Sequence, residues 1–229
     1  MVCSAQKIAS MRQIVFLSSS FWYFLVGCLS CTQQPAETRL PYYNTPDFSP
    51  IFLDSRQDVF QKIPHTIGNF SFTDQNGATV TQKSIEGKIH VADFFFTSCG
   101  TICPKMTRHM QLIEKAFPND DHVILLSYSV TPWIDSVARL KTYSQTNGIH
   151  SKNWHLLTGK KSEIYQLARQ SYFAEEELGF SKDSTNFLHT EHFLLVDSQK
   201  RIRGIYNGTL ELDMQQLIAD IRALKKETD

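Results

Sequence analysis

Cys99 and Cys103 stand four residues apart in the run Thr97-Ser98-Cys99-Gly100-Thr101-Ile102-Cys103-Pro104. In a helix, residues i and i+4 share a face, so both sulfurs can be aimed at one spot. Pro104 suits a first helical turn, where its missing N–H is no loss. A helix start presents unpaired N–H groups and positive partial charge, which favours thiolate over thiol. Thiolates are both nucleophiles and soft-metal ligands. The pair is therefore equipped for disulfide exchange, for metal binding, or for both. A purely stabilising bridge is a poor use of it, because so small a loop removes little unfolded-state entropy. A four-cysteine zinc site is excluded: Cys3, Cys28 and Cys31 fall in the N-terminal segment and leave no second pair.

Two thiolates make an incomplete copper or zinc site, and the natural third ligand is an imidazole. Eight histidines are available. His65, His109, His122 and His150 sit in polar or loop settings, His90 begins an apolar run at its far end, and His155 adjoins Trp154. His189 and His192 differ from these. They fall just before, or at the start of, a strand at 193–196, after a polar stretch long enough to fold over the cysteines. Two soft thiolates and one imidazole suit Cu(I), and the Irving–Williams order favours Cu(II) as well.

The elements that must position these groups alternate along the chain. Asn69–Phe72 and Thr79–Val80 flank the turn Asp74-Gln75-Asn76-Gly77 and predict a hairpin. Ile89–Phe96 and Val123–Val130 are near-continuous apolar runs, as expected of central strands covered on both faces. Met106, Met110, Ile113 and Phe117 form a helical stripe after the cysteines. A helix over 135–147 ends at Gly148; a strand at 154–157, a helix over 162–173, two strands at 193–196 and 202–206, and a closing helix over 212–224 follow. That order predicts an α/β fold, a central mixed sheet with helices on both faces and an N-terminal β-hairpin extension. The cysteines fall just past the end of a buried strand, the edge at which open α/β sheets bind ligands.

The chain has 229 residues, 23 basic against 23 acidic, and 41% hydrophobic residues, enough for one substantial core. Zero net charge argues against a nucleic-acid partner. The first residues read differently from the rest. Lys7 and Arg12 are their only charges, and an uncharged apolar run leads to Leu25-Val26-Gly27-Cys28. That layout is a secretory signal, and its ending resembles a bacterial lipobox, in which the cysteine is acylated and becomes the mature N-terminus. Met11 is an alternative start. The expected division is a signal peptide over 1–27, a flexible tether over 28–62 and a folded domain over 63–229. Cleavage before Cys28 would leave 21 basic and 23 acidic residues. The expected location is the extracytoplasmic, periplasmic face of a bacterial membrane, held there by lipid on Cys28.

The run Asp93-Phe94-Phe95-Phe96-Thr97-Ser98-Cys99 through Cys103-Pro104 resembles the signature of the SCO/SenC family, D-F-x-F-T-x-C-x-x-x-C-P. Ser129-Val130-Thr131-Pro132, followed by Asp135, resembles its S-V-D-P segment, with Thr131 where Asp is usual. Trp154 to Gly159 resembles its W-x-x-L-T-G segment. His189-Thr190, eight residues before Asp197, is similar to its H-[ST]-x(6)-D spacing, which His192 does not match. The similarity spans residues 63–226. It implies a thioredoxin-like fold, one copper per domain held by Cys99, Cys103 and His189, and a role in assembling the CuA centre of cytochrome c oxidase. The partners so implied are the CuA-bearing subunit or another copper protein, and a thiol reductant. Gly100-Thr101-Ile102 is less acidic than the filling between the cysteines of many members.

The alternative is a membrane-anchored thiol–disulfide oxidoreductase using the same dithiol. Redox thioredoxins carry C-x-x-C and a proline before the facing strand. Here the spacing is one residue longer, and 186–192 holds two histidines and no proline. A peroxiredoxin-type peroxidase would need a proline shortly before a lone reactive cysteine, and none lies between Ile89 and Ser98.

Overall fold

The computed structural model describes residues 39–53, 55–174 and 191–228. The chain divides into two units, 1–36 and 37–229; the first lies outside the described residues, and the fold is that of the second. Its strands are β1 (Tyr42–Tyr43), β2 (Pro50–Ile51), β3 (Ser71–Asp74), β4 (Thr79–Thr81), β5 (Ile89–Phe95), β6 (Val123–Ser129), β7 (Trp154–Thr158), β8 (His192–Val196) and β9 (Ile202–Asn207). Its helices are α1 (Val59–Lys62), α2 (Cys103–Ala116), α3 (Val137–Thr146), α4 (Lys161–Gln170) and α5 (Glu211–Thr228).

The described strands form one mixed sheet in the order β2-β1-β9-β8-β5-β6-β7-β3-β4. β5, β6 and β7 run parallel and need crossovers, which α2 and α3 supply. β8 is antiparallel to β5, and β9 to β8. Side chains alternate across each strand. Val91 and Phe95 of β5 and Leu125 of β6 therefore face Met106, Met110 and Ile113 of α2, Leu140 of α3 and the Met214, Leu217, Ile221, Leu224 stripe of α5. Ala92 and Phe94 of β5 and Leu126 and Tyr128 of β6 face Ile164, Leu167 and Ala168 of α4, with Ile67, Phe70 and Phe72 beside them. The central strands carry no exposed residue, which is why they read as unbroken apolar runs.

The punctuation falls where the sequence puts it. Gly148, at φ +67°, closes α3, with its N–H donating to the Gln145 carbonyl. Asp197 turns β8 into β9 by accepting from the N–H groups of Gln199 and Arg201.

One boundary differs. The segment read as a tether over 28–62 is, in its described part from residue 39, folded onto the sheet edge. Tyr43 pairs with Ile202 of β9, and Tyr42, Val59 and Ile63 form a small core of their own. The Arg203 guanidinium donates to the carbonyls of Leu40 (2.8 Å) and Pro41 (3.0 Å) and lies 4.0 Å from the centre of the Tyr42 ring. This segment has no periodicity because its order comes from partners about 160 residues away, not from its own pattern.

Candidate metal and dithiol site

β5 is buried along its whole length and delivers the chain to the site at Phe95. A turn follows in which the Cys99 N–H donates to the Phe96 carbonyl at 3.3 Å. α2 then starts at Cys103, with Pro104 in its first turn. Only Cys103 is helical. Cys99 lies ahead of the helix N-terminus instead of on a shared helical face, because Pro104 pins the first turn at its own position. The sulfurs still converge: the Cys103 N–H points at Cys99 Sγ at 3.5 Å, and Thr101 Oγ1 lies 3.6 Å from the same sulfur. Both cysteines are buried and neither is in a disulfide.

This geometry makes the two thiols unequal. Burial raises the Cys99 thiol, but hydrogen bonding from the backbones and side chains of Cys103 and Thr101 outweighs it and brings Cys99 down to about 7. Cys103 goes the other way. Burial pushes it up to about 12, opposed by a backbone hydrogen bond from Phe96 and reinforced by Cys99 and Asp93. Cys99 is thus the more acidic of the two thiols and Cys103 the less acidic.

Asp93 lies on the same face of β5 and is buried. Its carboxylate accepts from Ser127 Oγ at 2.5 Å, and that oxygen accepts from Trp154 Nε1 at 3.0 Å. Burial, only partly offset by Ser127, raises the carboxyl to about 7. A charged residue inside an otherwise apolar strand was the sequence signal for it. A second carboxylate, Asp135, is fully buried in the loop after β6 and bonds Thr97; spacing alone assigned it no role. A cavity of about 600 Å³ lies between α5 and the β1–β2 edge, and none of its lining residues belongs to the cysteine loop.

Four described histidines have partners or burial that take them out of the site. His65 Nε2 meets the Ser171 carbonyl, His109 Nδ1 the Gly208 carbonyl, and His155 Nδ1 the Asp74 carboxylate. His90 is buried on the opposite face against the Tyr172 hydroxyl, and burial lowers it to about 3. His192 opens β8 opposite Asn207 of β9. His122 and His150 are exposed on loops. His189 lies outside the described residues, as does Cys28. The described chain resumes at Glu191, whose carbonyl accepts from the Gly208 N–H. Because β8 runs antiparallel to β5, with Ala92 opposite Leu194, the start of β8 lies toward the strand end that feeds Cys99. Among the described residues no group of three His, Cys, Asp or Glu side chains is arranged to hold a metal ion. Within the described set, the two cysteines converge without a third such side chain grouped with them.

A mixed sheet, a helix that starts just past the end of a central parallel strand, and a dithiol at that junction define a thioredoxin-like dithiol protein. Within that class the chain belongs to the SCO1/SenC family, whose profile matches residues 60–226. Solved structures similar to it include the following three. BsSco, described as a member of the Sco family of cytochrome c oxidase assembly proteins and as containing a disulfide switch, is 30% identical, with a TM-score of 0.60 over 71% of this chain and 94% of that one. A SCO1/SenC family lipoprotein from Bacillus anthracis is 29% identical, with a TM-score of 0.62 over 70% and 95%. ScoI from Bradyrhizobium japonicum, solved with copper bound, is 27% identical, with a TM-score of 0.56 over 69% and 99%.

Proposed function

We propose that this chain is a copper-binding assembly factor that carries one copper ion between Cys99, Cys103 and His189 and hands it to the CuA-bearing subunit of cytochrome c oxidase or to another copper protein. The observation that carries the reading is the convergence of the Cys103 N–H and the Cys99 sulfur at the start of α2. Family membership and the copper-bound relative support the choice of metal. Copper is cargo here, so the site must bind it firmly and still release it. Cys99 offers a thiolate near neutral pH, while Cys103 gives up a proton as the metal arrives. Soft sulfur ligands suit Cu(I). His189 lies three residues before His192, about 10 Å of fully extended chain, and β8 re-enters the sheet at the cysteine end.

Anaerobic titration with Cu(I) against a competing chelator tests the ligand set. Cys99→Ser, Cys103→Ser and His189→Ala should each weaken binding strongly, and His192→Ala much less. Equal losses from His189→Ala and His192→Ala would undo the assignment.

The dithiol must be reduced before Cu(I) binds, so a thiol reductant is an expected partner. The split between Cys99 at about 7 and Cys103 at about 12 also favours a second reading, a thiol–disulfide oxidoreductase. In it the Cys99 thiolate attacks a substrate disulfide, a mixed disulfide forms and one substrate thiolate leaves. Cys103 then loses its proton and attacks Cys99 Sγ, closing the intramolecular bridge and releasing the second substrate thiol. Disulfide reduction at thioredoxin-like rates without retained copper would decide for that reading. In either case the domain works at the extracytoplasmic face of a bacterial membrane, anchored by lipid on Cys28; a similar protein from Bacillus anthracis is described as a lipoprotein.

A further inference from the structure

Asp135 is fully buried, and its carboxylate is saturated from several directions. Oδ2 accepts from the Thr97 N–H at 3.2 Å, Ser129 Oγ at 2.6 Å and Thr131 Oγ1 at 2.9 Å. Oδ1 accepts from Thr97 Oγ1 at 2.5 Å and lies 3.5 Å from Arg139 Nε, which itself donates to Thr97 Oγ1 at 2.6 Å. The carboxylate belongs to the loop between β6 and α3, whereas Thr97 belongs to the loop between β5 and α2, two residues before Cys99. Two bonds from the buried acid therefore hold the backbone and the side chain of one residue in the cysteine loop.

We propose that Asp135 is the positioning residue of the copper site, acting through Thr97 to hold the Cys99 sulfur over the α2 N-terminus. The proposal rests on the copper reading given above. Thr131 completes it. Its hydroxyl donates to Asp135 Oδ2 at 2.9 Å and its own N–H to Ser129 Oγ at 3.2 Å, so the hydroxyls that hold the acid are themselves linked. Among the described residues the polar contacts of Cys99 are long: its N–H contact with Phe96 is 3.3 Å and its sulfur's contacts are 3.5 Å and 3.6 Å. Groups that orient metal ligands from behind are worth about 10–100-fold in affinity, and the same range is expected here.

The test compares full-length wild type with Asp135→Asn, Thr97→Val and Thr97→Ser. Each is checked by circular dichroism, then measured for Cu(I) affinity, for the sulfur-to-Cu(II) charge-transfer band, and for the alkylation rate of Cys99 relative to Cys103 at one pH. Asp135→Asn and Thr97→Val should lose about 10–100-fold in Cu(I) affinity and shift the band, while Thr97→Ser, which keeps the hydroxyl, should restore both. Wild-type affinity and spectrum in folded Asp135→Asn and Thr97→Val would overturn the proposal. Should wild type bind no copper, the copper reading fails by itself. Cys99 alkylation then decides the positioning role: a rate changed in Thr97→Val and restored in Thr97→Ser upholds it, and unchanged rates reject it. If Asp135→Asn fails to fold, the two Thr97 variants carry the same decision.

Discussion

Cys99 and Cys103 are chemically the same residue in different surroundings. Cys99 sits where N–H groups converge, and Cys103 sits inside the apolar layer beneath α2. Iodoacetamide should accordingly modify Cys99 with a half-maximal rate near pH 7 and leave Cys103 unmodified until far more alkaline pH. Peptide mass spectrometry across a pH series reads both rates, and equal rates would contradict the asymmetry. Asp93 makes a second prediction at this scale. Its carboxyl is raised from 3.8 to about 7 in the folded state, so the native protein holds the proton more firmly than the unfolded chain does. Its contribution is complete below about pH 4 and is lost as pH rises through 7, a change on the order of a few kcal/mol. Urea midpoints at pH 5 and pH 7.5 should differ in wild type and converge in Asp93→Asn. An unchanged pH slope in the variant would remove Asp93 as the cause.

Elements matter here through their ends. α2 is useful because it begins at Cys103, and the loop after β6 is useful because it places Asp135 beneath Thr97. At the opposite end of the sheet, Arg203 of β9 ties three elements together. Its guanidinium is bonded to Asp197 at 3.3 Å and to Glu227 of α5 at 3.1 Å, while also holding the Leu40 and Pro41 carbonyls before β1. Removing one member of a buried ion pair leaves the other charge unpaired and costs about 3–5 kcal/mol. Arg203→Ala should lose stability of that order in chemical denaturation, with loss of amide protection in β1 preceding the rest of the sheet. A planar five-donor fork is needed for this set of acceptors, so Arg203→Lys should recover only part of the loss. Little of this arrangement was legible beforehand. Residues 40–62 carry Pro and polar residues without period, and the argument for a tether was a local one. The bonds that order them come from β9, far along the chain.

Across the whole molecule, topology gathers the chemistry. Parallel β5 and β6 send their following loops to one sheet edge, and antiparallel β8 begins toward that edge. The proposed signal and lipid anchor also belong to this scale, because they would set where the domain works. Mass spectrometry of the mature N-terminus should find an acylated Cys28, and Cys28→Ser should shift the protein from the membrane to the soluble fraction. An intact Met1 or Met11 terminus on the mature protein would dismiss the anchor.

Much of the element order was readable because burial on both sheet faces writes itself as apolar runs, and helices as stripes at 3.6-residue spacing. The C-x3-C-P run could be read as thiol chemistry because residue type and spacing alone limit what two cysteines can do. Tertiary structure decided which cysteine is the more acidic, that Cys99 stands before the helix and not within it, and that Asp135 bonds to the cysteine loop. Those outcomes depend on desolvation and on hydrogen bonds between residues up to 42 apart, and no local window of sequence contains both partners. The strand count also changed at the β9 edge, because an edge strand's unpaired N–H and C=O groups recruit whatever chain lies alongside.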